Sequence, residues 1–405
     1  MHFNENGYHE QELEKKLAAL LQDAVKIRLM SDVPLGAFLS GGIDSSIVVG
    51  LMAKVMDQPV KTFSIGFEDS TYNELHYARQ IANLFKTEHR EFIIKPNALE
   101  LTEKLVQHLD EPLGDFSIFP TYLVSKMARE FVTVVLSGDG GDELFGGYDT
   151  YVADLTYQRY RKVPEFLRKG VVEPAVSFLP PTEKKKGLVN KARRFLEGAK
   201  HPEDLRHVRW MIFLSAAEKH ELYGEALKGW RDNQAAYGYI RNYFAQANSK
   251  DEGNRQSFVD IKTYLADDIM VKVDRMSMAT SLEARAPFLD YRVAELAATI
   301  PSVLKIQGTK TKYILKKAMA DLLPHEILHR GKEGFSIPIK NWLRNELRPV
   351  MLDVLSSANI KRDGFFNDGY VQSLIKEHLD GVENHSHRLW ALMVFGIWRD
   401  VYLKS

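Results

Sequence analysis

The stretch Gly36-Ala37-Phe38-Leu39-Ser40-Gly41-Gly42-Ile43-Asp44-Ser45-Ser46 decides the fold, since it joins an apolar run to a glycine pair and hydroxyl residues. The apolar segment Ile47-Val48-Val49-Gly50-Leu51-Met52 follows it directly. A short apolar run, a glycine turn and the start of a helix are typical of a strand-loop-helix unit that binds anions. Glycines let the backbone approach a ligand, and the free N–H groups at the helix start point at phosphate oxygens.

Asp44 is unexpected in a loop that binds phosphate. Two like unit charges about 4 Å apart repel by about 4 kcal/mol at an effective dielectric constant near 20, whereas a helix terminus offers an anion only about 0.3–1 kcal/mol. The loop therefore predicts a cation between Asp44 and the phosphate groups, and Mg²⁺ is the usual one. A Walker A loop is excluded, because no lysine follows this glycine pair. The alternative is a serine-glycine turn that caps an ordinary helix.

The composition of the 405 residues excludes several classes of protein. The 45% hydrophobic and 27% charged content is that of a globular protein with a sizeable core. The 54 basic side chains equal the 54 acidic ones, which argues against a nucleic-acid partner that needs a broad basic field. We find neither a membrane-spanning run nor a signal peptide, and expect a cytoplasmic protein. The absence of cysteine excludes disulfides, thiolate zinc sites and cysteine nucleophiles.

Strand and helix patterns alternate along the first part of the chain. We predict strands over residues 36–39, 61–66, 90–94 and 132–136, and helices over residues 13–30, 46–55, 74–85, 98–109 and 121–130. This alternation predicts a doubly wound parallel sheet whose ligands bind beyond the carboxyl ends of the strands. After Tyr148 the strand signals fade. We therefore expect an α/β core at residues 1–150 and a mainly helical region at residues 151–405.

A second glycine-rich loop follows the last predicted strand and reads Leu136-Ser137-Gly138-Asp139-Gly140-Gly141-Asp142-Glu143-Leu144-Phe145-Gly146-Gly147-Tyr148. Its glycines let a ligand lie against the main chain, and its three carboxylates indicate metal or amine contacts. Asp44 and Asp142 can each supply one carboxylate to a shared Mg²⁺ ion. The alternative is a flexible acidic turn on the surface.

The two loops, in this order and at this separation, resemble those of the asparagine synthetase family, whose synthetase domain has the ATP pyrophosphatase type of phosphate loop. The resemblance covers about residues 32–335. It implies a fold like that of the adenine nucleotide α-hydrolases. Further stretches carry it: Phe63-Ser64-Ile65-Gly66-Phe67, Asp110-Glu111-Pro112 leading to Pro120-Thr121, Thr311-Lys312-Tyr313-Ile314-Leu315-Lys316, Arg330-Gly331-Lys332-Glu333-Gly334-Phe335, and Asp274-Arg275-Met276-Ser277-Met278-Ala279 running into a stretch at 283–290 that we expect to be helical.

The resemblance implies that a carboxylate substrate attacks the α-phosphorus of ATP and gives an acyl-adenylate and pyrophosphate, after which ammonia displaces AMP. It implies ATP and Mg²⁺ as cofactors, with Asp44 and Asp142 as metal ligands. The residues that it assigns to ATP, several through their backbone, are Phe38, Ser40, Gly41, Gly42, Asp44, Ser45, Ser46, Ile65, Ser137 and Gly138.

Lys312 would by this resemblance stabilise the charge that develops as the adenylate forms and breaks, as a compact cation can. Lys310, Lys316 and Lys317 lie close enough in sequence to be alternatives. We also predict Asp139 and Asp142 as catalytic residues and Arg275 and Glu143 as substrate contacts. Arg275 and Arg285 suit carboxylate or phosphate recognition, although each is equally a candidate for a structural arginine. Many family members carry glutamate at the position of Asp139, which is one methylene shorter.

The amine donor is where the chain departs from glutamine-dependent members, whose glutaminase nucleophile is a cysteine directly after the initiator methionine. His2 follows Met1, and the chain contains no cysteine. We therefore expect free ammonium, ammonia from a separate glutaminase partner, or another amine as the nitrogen source. A homodimer is a further expectation.

Three functions remain open from the sequence. The leading hypothesis is that aspartate and ammonia are joined to give asparagine with release of AMP and pyrophosphate. The first alternative keeps the adenylation chemistry but uses another carboxylate and a different or internal amine, as relatives do that close lactam rings or amidate sugar acids and peptides. The second alternative is a non-catalytic subunit that docks a partner. Asp44, Asp142 and Lys312 argue against it, because a scaffold needs no acids around a phosphate loop.

Overall fold

A single parallel sheet forms the centre of the computed structural model, which describes residues 9–67, 74–94, 98–178, 188–231, 235–331 and 337–403. Its strand order is β3-β2-β1-β4-β5. Phe38 lies opposite Phe63 in β2, and Ala37 lies opposite Leu136 in β4. The strands are β1 (Leu35–Phe38), β2 (Lys61–Phe67), β3 (Glu88–Ile94), β4 (Val134–Leu136) and β5 (Glu283–Arg285).

Helices cover both faces of this sheet, so the predicted doubly wound α/β fold is confirmed. The four predicted strands agree with the observed ones to within two residues, and the five predicted helices to within three. The helices of this part are α1 (Glu10–Arg28), α2 (Ile43–Val55), α3 (Leu75–Leu84), α4 (Ala98–Val106), α5 (Ile118–Arg129) and α6 (Gly141–Phe145).

Apolar spacing explains how α1 and α2 pack. Leu13, Leu17 and Leu21 recur every four residues of α1 and are fully buried against the core, as an amphipathic helix requires. The run Ile47-Val48-Val49-Gly50-Leu51-Met52 of α2 is buried on all sides, because α2 lies between the sheet and other helices. The start of α2, and therefore the loop before it, is held in place by this burial.

The remaining chain is mainly helical, as predicted. In its described residues, two π-helical segments and two 3₁₀ segments interrupt the helices: Arg168–Val172 and Ile261–Ile269, and Glu225–Trp230 and Pro287–Leu289. The helices are α7 (Asp149–Tyr160), α8 (Glu165–Leu167), α9 (Glu173–Phe178), α10 (Leu188–Ala199), α11 (Glu203–Met211), α12 (Ala216–Leu222), α13 (Ala235–Gln246), α14 (Glu252–Asp260), α15 (Met270–Met278), α16 (Tyr291–Thr299), α17 (Ser302–Lys305), α18 (Tyr313–Ala318), α19 (His325–His329), α20 (Ile339–Arg344), α21 (Arg348–Val354), α22 (Ser357–Asp363), α23 (Asp368–Leu379) and α24 (Ser386–Tyr402).

The expectation of a helical stretch through residues 283–290 is wrong. Glu283–Arg285 forms strand β5, and Pro287–Leu289 is a 3₁₀ turn. The strand pairs with β4, where Leu136 lies opposite Arg285, so the helical region supplies the fifth strand of the sheet. Residues 332–335, the end of another predicted motif, lie outside the described residues.

The order of the strands places a crevice between β1 and β4. The chain runs outward from β1 to β2 and β3, and then returns to the other side of β1 to form β4. Open parallel sheets bind ligands at the carboxyl ends of their strands, at such a reversal of strand order. Both glycine-rich loops begin at this point, one after β1 and one after β4. Among the described residues, no helix is both long and apolar enough to cross a membrane.

Candidate active site

The first glycine-rich loop is held by its own hydroxyl groups. The backbone N–H of Ser40 donates to the hydroxyl oxygen of Ser45 at 3.2 Å, and the two hydroxyl groups lie 3.0 Å apart. Ser45 also donates to the carbonyl of Gly42 at 3.2 Å. Gly42 is the N-cap of α2, whose first turn carries Asp44. The loop therefore leads directly into a helix N-terminus, as an anion site requires.

The second loop packs against the first at Gly138. A Cβ atom at this position would lie 2.7 Å from the backbone nitrogen of Ser45 and 2.8 Å from Cβ of Asp44. No side chain fits there without moving the backbone, so only glycine allows this approach. The backbone N–H of Ser137 donates to the carbonyl oxygen of Arg285 in β5 at 2.8 Å. The carboxyl ends of β1, β4 and β5 are thus joined.

Lys312 lies between the two loops and contacts both predicted metal ligands. Its Nζ atom is 2.5 Å from Oδ1 of Asp142 and also bonds Oδ2 of Asp44. Its side chain is 6% exposed. Lys312 has the left-handed φ of +54° and precedes α18. Burial acts to lower the pKa of Lys312, but the carboxylates of Asp142 and Asp44 outweigh it and raise the pKa above the usual value.

These contacts distinguish Lys312 from the neighbouring lysines. Lys317 is exposed and pairs with Glu10 and Glu14 of α1. Burial and the charge of Lys312 lower the pKa of Lys316. Lys312 thus contacts an acid of each loop, and its catalytic role stays a prediction.

The carboxylate oxygens around Lys312 Nζ are of the kind that bind a magnesium ion. Carboxylate oxygens of Asp44 and Asp142 contact the same cationic nitrogen, so they lie close enough to share one ion. Mg²⁺ prefers oxygen ligands and is commonly bound by one or two carboxylates together with substrate phosphates. Both acids are partly exposed, at 17% and 20%. These residues could hold such an ion, and the shared metal site stays a prediction.

The other acids of the second loop have different surroundings. Glu143 is buried, with 1% of its surface exposed, and accepts a hydrogen bond from the hydroxyl of Tyr148. Its backbone carbonyl accepts from the hydroxyl of Ser257 at 2.6 Å, which ties the loop to α14. Burial raises the pKa of Asp139, although hydrogen bonding to Ser137 and the charge of Lys272 oppose this. The role of Glu143 as a substrate contact remains a prediction.

The family model described as asparagine synthase matches residues 16–400. The chain belongs to the asparagine synthase family. It is 34% identical over 402 residues to glutamine-hydrolyzing asparagine synthetase 1 of Bacillus subtilis (strain 168), covering 98% of this chain and 60% of that protein.

Two further relatives extend the comparison. A Mycobacterium tuberculosis (strain ATCC 25618 / H37Rv) protein provisionally named glutamine-hydrolyzing asparagine synthetase is 33% identical, over 96% of this chain and 58% of that protein. Amidase chyE of Penicillium rubens (strain ATCC 28089 / DSM 1075 / NRRL 1951 / Wisconsin 54-1255) is 26% identical, over 91% of this chain and 59% of that protein. The chain spans about three fifths of the length of these relatives.

The other residues predicted from the resemblance to the asparagine synthase family differ in their burial and in their contacts. Phe38 ends β1 and Ile65 lies on the adjacent β2, both half-buried. Arg275 is 42% exposed and pairs with Asp110, so its predicted substrate contact stays a prediction. Arg285 donates to the carbonyls of Arg28 and Met30 at 2.8 Å each. It ties β5 to the end of α1 and is therefore the structural arginine of the two.

Arg330 is a residue of this asparagine synthase chain whose role the sequence did not reveal. Its guanidinium contacts the first loop and α3, although it follows α19, far away in sequence. The only signal was its place at the start of the Arg330-Gly331 motif. A motif does not say which loop a long side chain will reach.

Proposed function

We propose that this chain joins a carboxylate and an amine into an amide. ATP activates the carboxylate as an acyl-adenylate, and AMP and pyrophosphate are released. The observation that supports this most directly is the position of Lys312 between Asp44 and Asp142, one from each loop at the reversal of strand order. A phosphate loop followed by an acid makes sense only when a cation compensates the charge. Two acids and one lysine at the same point provide for both a metal ion and a fixed cation.

The residues of the chain have separate roles in this proposal. Backbone N–H groups at the start of α2 bind the phosphate oxygens that leave as pyrophosphate. Lys312, whose raised pKa keeps it protonated, stabilises the negative charge that grows on the α-phosphate. Asp44 and Asp142 would hold Mg²⁺, which supplies neutralisation of the departing pyrophosphate. Asp139 lies near the start of the second loop and stays a candidate catalytic residue.

The leading substrates are aspartate and ammonia. Relatives named as asparagine synthetases support this pair, and the amidase-named relative keeps another carboxylate and another amine as the second candidate. The chain has no cysteine to act as a glutaminase nucleophile. We therefore propose that these residues do not hydrolyse glutamine by themselves and that the nitrogen source is free ammonium, another amine, or ammonia delivered by a glutaminase. A cytoplasmic location and a homodimeric state remain predictions.

A pyrophosphate-release panel tests the proposal. The purified chain receives Mg-ATP with aspartate or other carboxylates, and with ammonium, glutamine or primary amines. Aspartate with ammonium should give equal amounts of AMP, pyrophosphate and asparagine. Release of ADP would contradict adenylation, and stimulation only by another carboxylate would favour the second candidate. Glutamate formed from glutamine by the chain alone would contradict the assignment of the nitrogen source.

The Asp44→Asn variant tests the non-catalytic alternative. Adenylation predicts near-complete loss of pyrophosphate release with an intact fold, because the variant loses one of the two charges that hold the metal ion. Asp57→Asn is the matched control, since Asp57 lies in an exposed turn after α2. If the wild-type chain itself releases no pyrophosphate with any carboxylate, the docking subunit becomes the better explanation.

A further inference from the structure

A second group of charged side chains lies beside the second loop. Lys272 of α15 places its Nζ atom 2.7 Å from Oδ2 of Asp115, which precedes α5. The two side chains are only 12% and 16% exposed. Asp268, on the π-helical segment before α15, hydrogen bonds to Asp115. Its carboxyl group also interacts electrostatically with the ammonium group of Lys272. One lysine and two acids are thus gathered where water has little access.

Asp115 is the member that is fixed as an anion. The backbone N–H and the hydroxyl of Ser117 donate to its Oδ1 at 2.8 and 2.7 Å, while Lys272 donates to Oδ2. Burial acts to raise the pKa of Asp115, but Lys272 and Ser117 outweigh it and the pKa falls. Hydrogen-bond donors on both oxygens, with the charged Lys272 on Oδ2, favour the ionised form. The charge of Asp115 is therefore retained.

Asp268 is in the opposite situation. Its Oδ1 atom is buried and accepts no hydrogen bond from a donor in the described part of the chain. A carboxyl group that meets an ionised carboxylate can bond it only by carrying a proton. Burial and the charge of Asp115 raise the pKa of Asp268 to about 7, and Lys272 limits the rise. Near neutral pH, Asp268 can therefore both take up and release a proton, as a general base requires.

Electrostatics and packing link this group to the candidate active site. The charge of Lys272 acts to lower the pKa of Asp139 in the second loop, and the charge of Asp142 acts to raise it. The π-helical segment that carries Asp268 also packs against α6, which carries Asp142. The group therefore borders the place where the adenylate would form.

The proposed reaction needs a proton acceptor in its second step. The nitrogen of the amine attacks the acyl carbon, the C–N bond forms, and the bond from the acyl carbon to the phosphate oxygen breaks. AMP leaves with that electron pair. The nitrogen then carries one proton more than the neutral amide, and this proton must pass to a base.

We propose that Asp268, supported by Asp115 and Lys272, accepts this proton from the attacking amine. This inference rests on the proposed adenylation. Lys272 keeps the two acids from repelling one another, and Asp115 makes Asp268 basic enough to act. The proton is afterwards released to solvent. Tyr264 also faces the pair, and burial with the charge of Asp268 raises its pKa above the ordinary tyrosine value, so it stays a proton donor.

The test separates the two half-reactions in the variant Asp268→Asn. Adenylation is followed by ATP–pyrophosphate exchange with the carboxylate that the release panel identifies, and amide formation is followed with ammonium. We expect exchange to remain near the wild-type rate and amide formation to fall about 100-fold or more. The rise of the amide rate with pH, centred at about 7 in the wild type, should disappear. Hydroxylamine, a weaker base that needs less help with deprotonation, should recover much of the lost rate.

Asp267→Asn is the matched control. Asp267 is the exposed neighbour that accepts a hydrogen bond from the hydroxyl of Tyr239 at 2.8 Å, and its loss should leave both half-reactions unchanged. Should Asp268→Asn not fold, Asp115→Asn replaces it. Loss of the Asp115 charge should move the pH-dependent rise to lower pH.

The inference is overturned if exchange and amide formation fall together, if the pH-dependent rise persists in Asp268→Asn, or if Asp115→Asn leaves its position unchanged. A wild-type chain that supports no exchange with any carboxylate would instead overturn the proposed function. The two failures are therefore distinguishable.

Discussion

Arg330 donates from Nη1 to the backbone carbonyl oxygen of Gly41 at 2.7 Å. Its Nη2 atom bonds Glu74, the N-cap of α3, and its guanidinium lies 3.9 Å from the centre of the Tyr77 ring. Gly41 has the left-handed φ of +71°. One side chain from beyond α19 therefore fixes the conformation of the first glycine-rich loop.

The Arg330→Met variant should bind ATP more weakly. A hydrogen bond from a charged group contributes about 1.5–3 kcal/mol, so we expect the KM for ATP to rise about tenfold or more, with kcat and the KM for the carboxylate much less affected. Arg330→Lys should restore part of the affinity. Arg79→Met is the control, since exposed Arg79 pairs with Glu91 outside the loop. Equal losses in every kinetic constant would point to general destabilisation instead.

The Lys312→Met variant should lose adenylation and gain metal affinity. Removal of a positioned charge that stabilises a transition state commonly lowers kcat about 10²–10³-fold, which ATP–pyrophosphate exchange measures. The same change leaves Asp44 and Asp142 without the ammonium that they now share. Mg²⁺ without nucleotide should therefore raise the thermal midpoint of the variant more than that of the wild type.

Lys317→Met serves as the control for Lys312, because Lys317 is exposed and its ion pairs are with Glu10 and Glu14 of α1. Its exchange rate and its response to Mg²⁺ should match those of the wild type. An unchanged exchange rate in Lys312→Met would refute the role assigned to this lysine.

The Gly138→Ala variant should damage the contact between the two loops. The added Cβ would lie 2.7 Å from the backbone nitrogen of Ser45, and overpacking of this kind typically costs about 1–3 kcal/mol. We expect a lower free energy of unfolding in urea and weaker ATP binding. Gly238→Ala, within α13 and with no atom within 4 Å of the added Cβ, should instead stabilise the helix slightly.

His207 should make the stability of the helical region depend on pH. Its Nδ1 atom lies 2.5 Å from Asp154 and its Nε2 atom 2.8 Å from Asp260, and all three side chains are buried. Burial acts to lower the pKa of His207, but Asp260 and Asp154 outweigh it and raise the pKa to about 10. Since the folded pKa exceeds the unfolded one, the stabilisation is complete below about 6.5. It is lost as the pH rises towards 10.

The His207→Gln variant tests this directly. Breaking a buried ion pair costs about 3–5 kcal/mol, so the variant should be less stable than the wild type by about this amount at pH 6. The difference should shrink towards pH 10, as measured by urea unfolding. His108→Gln, at an exposed position, should show no such trend. A difference that stays constant with pH would mean that His207 is neutral in the folded protein.

The sequence predicted the core because its signals are local. Buried strands such as Val134–Leu136 read as short apolar runs, and α1 shows its leucines at helical spacing. Strand β5 was missed because three residues with two charged side chains carry no strand pattern. The backbone groups of β5 are paired only because β4 lies beside them. The chain returns to β4 only after helices α6 to α15.

Some residues of the candidate site could likewise be predicted from local sequence signals, and others could not. Asp44 and Asp142 could be found from glycine-rich loops, whereas Lys312 needed the family resemblance to be chosen among four lysines. The pairing of Lys272 with Asp115 could not be foreseen, because 157 residues separate them. Arg330 and Gly41, 289 residues apart, are a similar case. Contacts of this kind are set by the packing of whole helices, which no local pattern encodes.

The late arrival of β5 has a consequence for how this protein is made. Until residue 285 has left the ribosome, β4 has an open edge that no later strand protects, and such edges invite aggregation. A truncated chain that ends near residue 150 would carry the same exposed edge permanently. It would also lack α16 and α18, which pack against α1. Expression trials should therefore keep the two halves on one polypeptide.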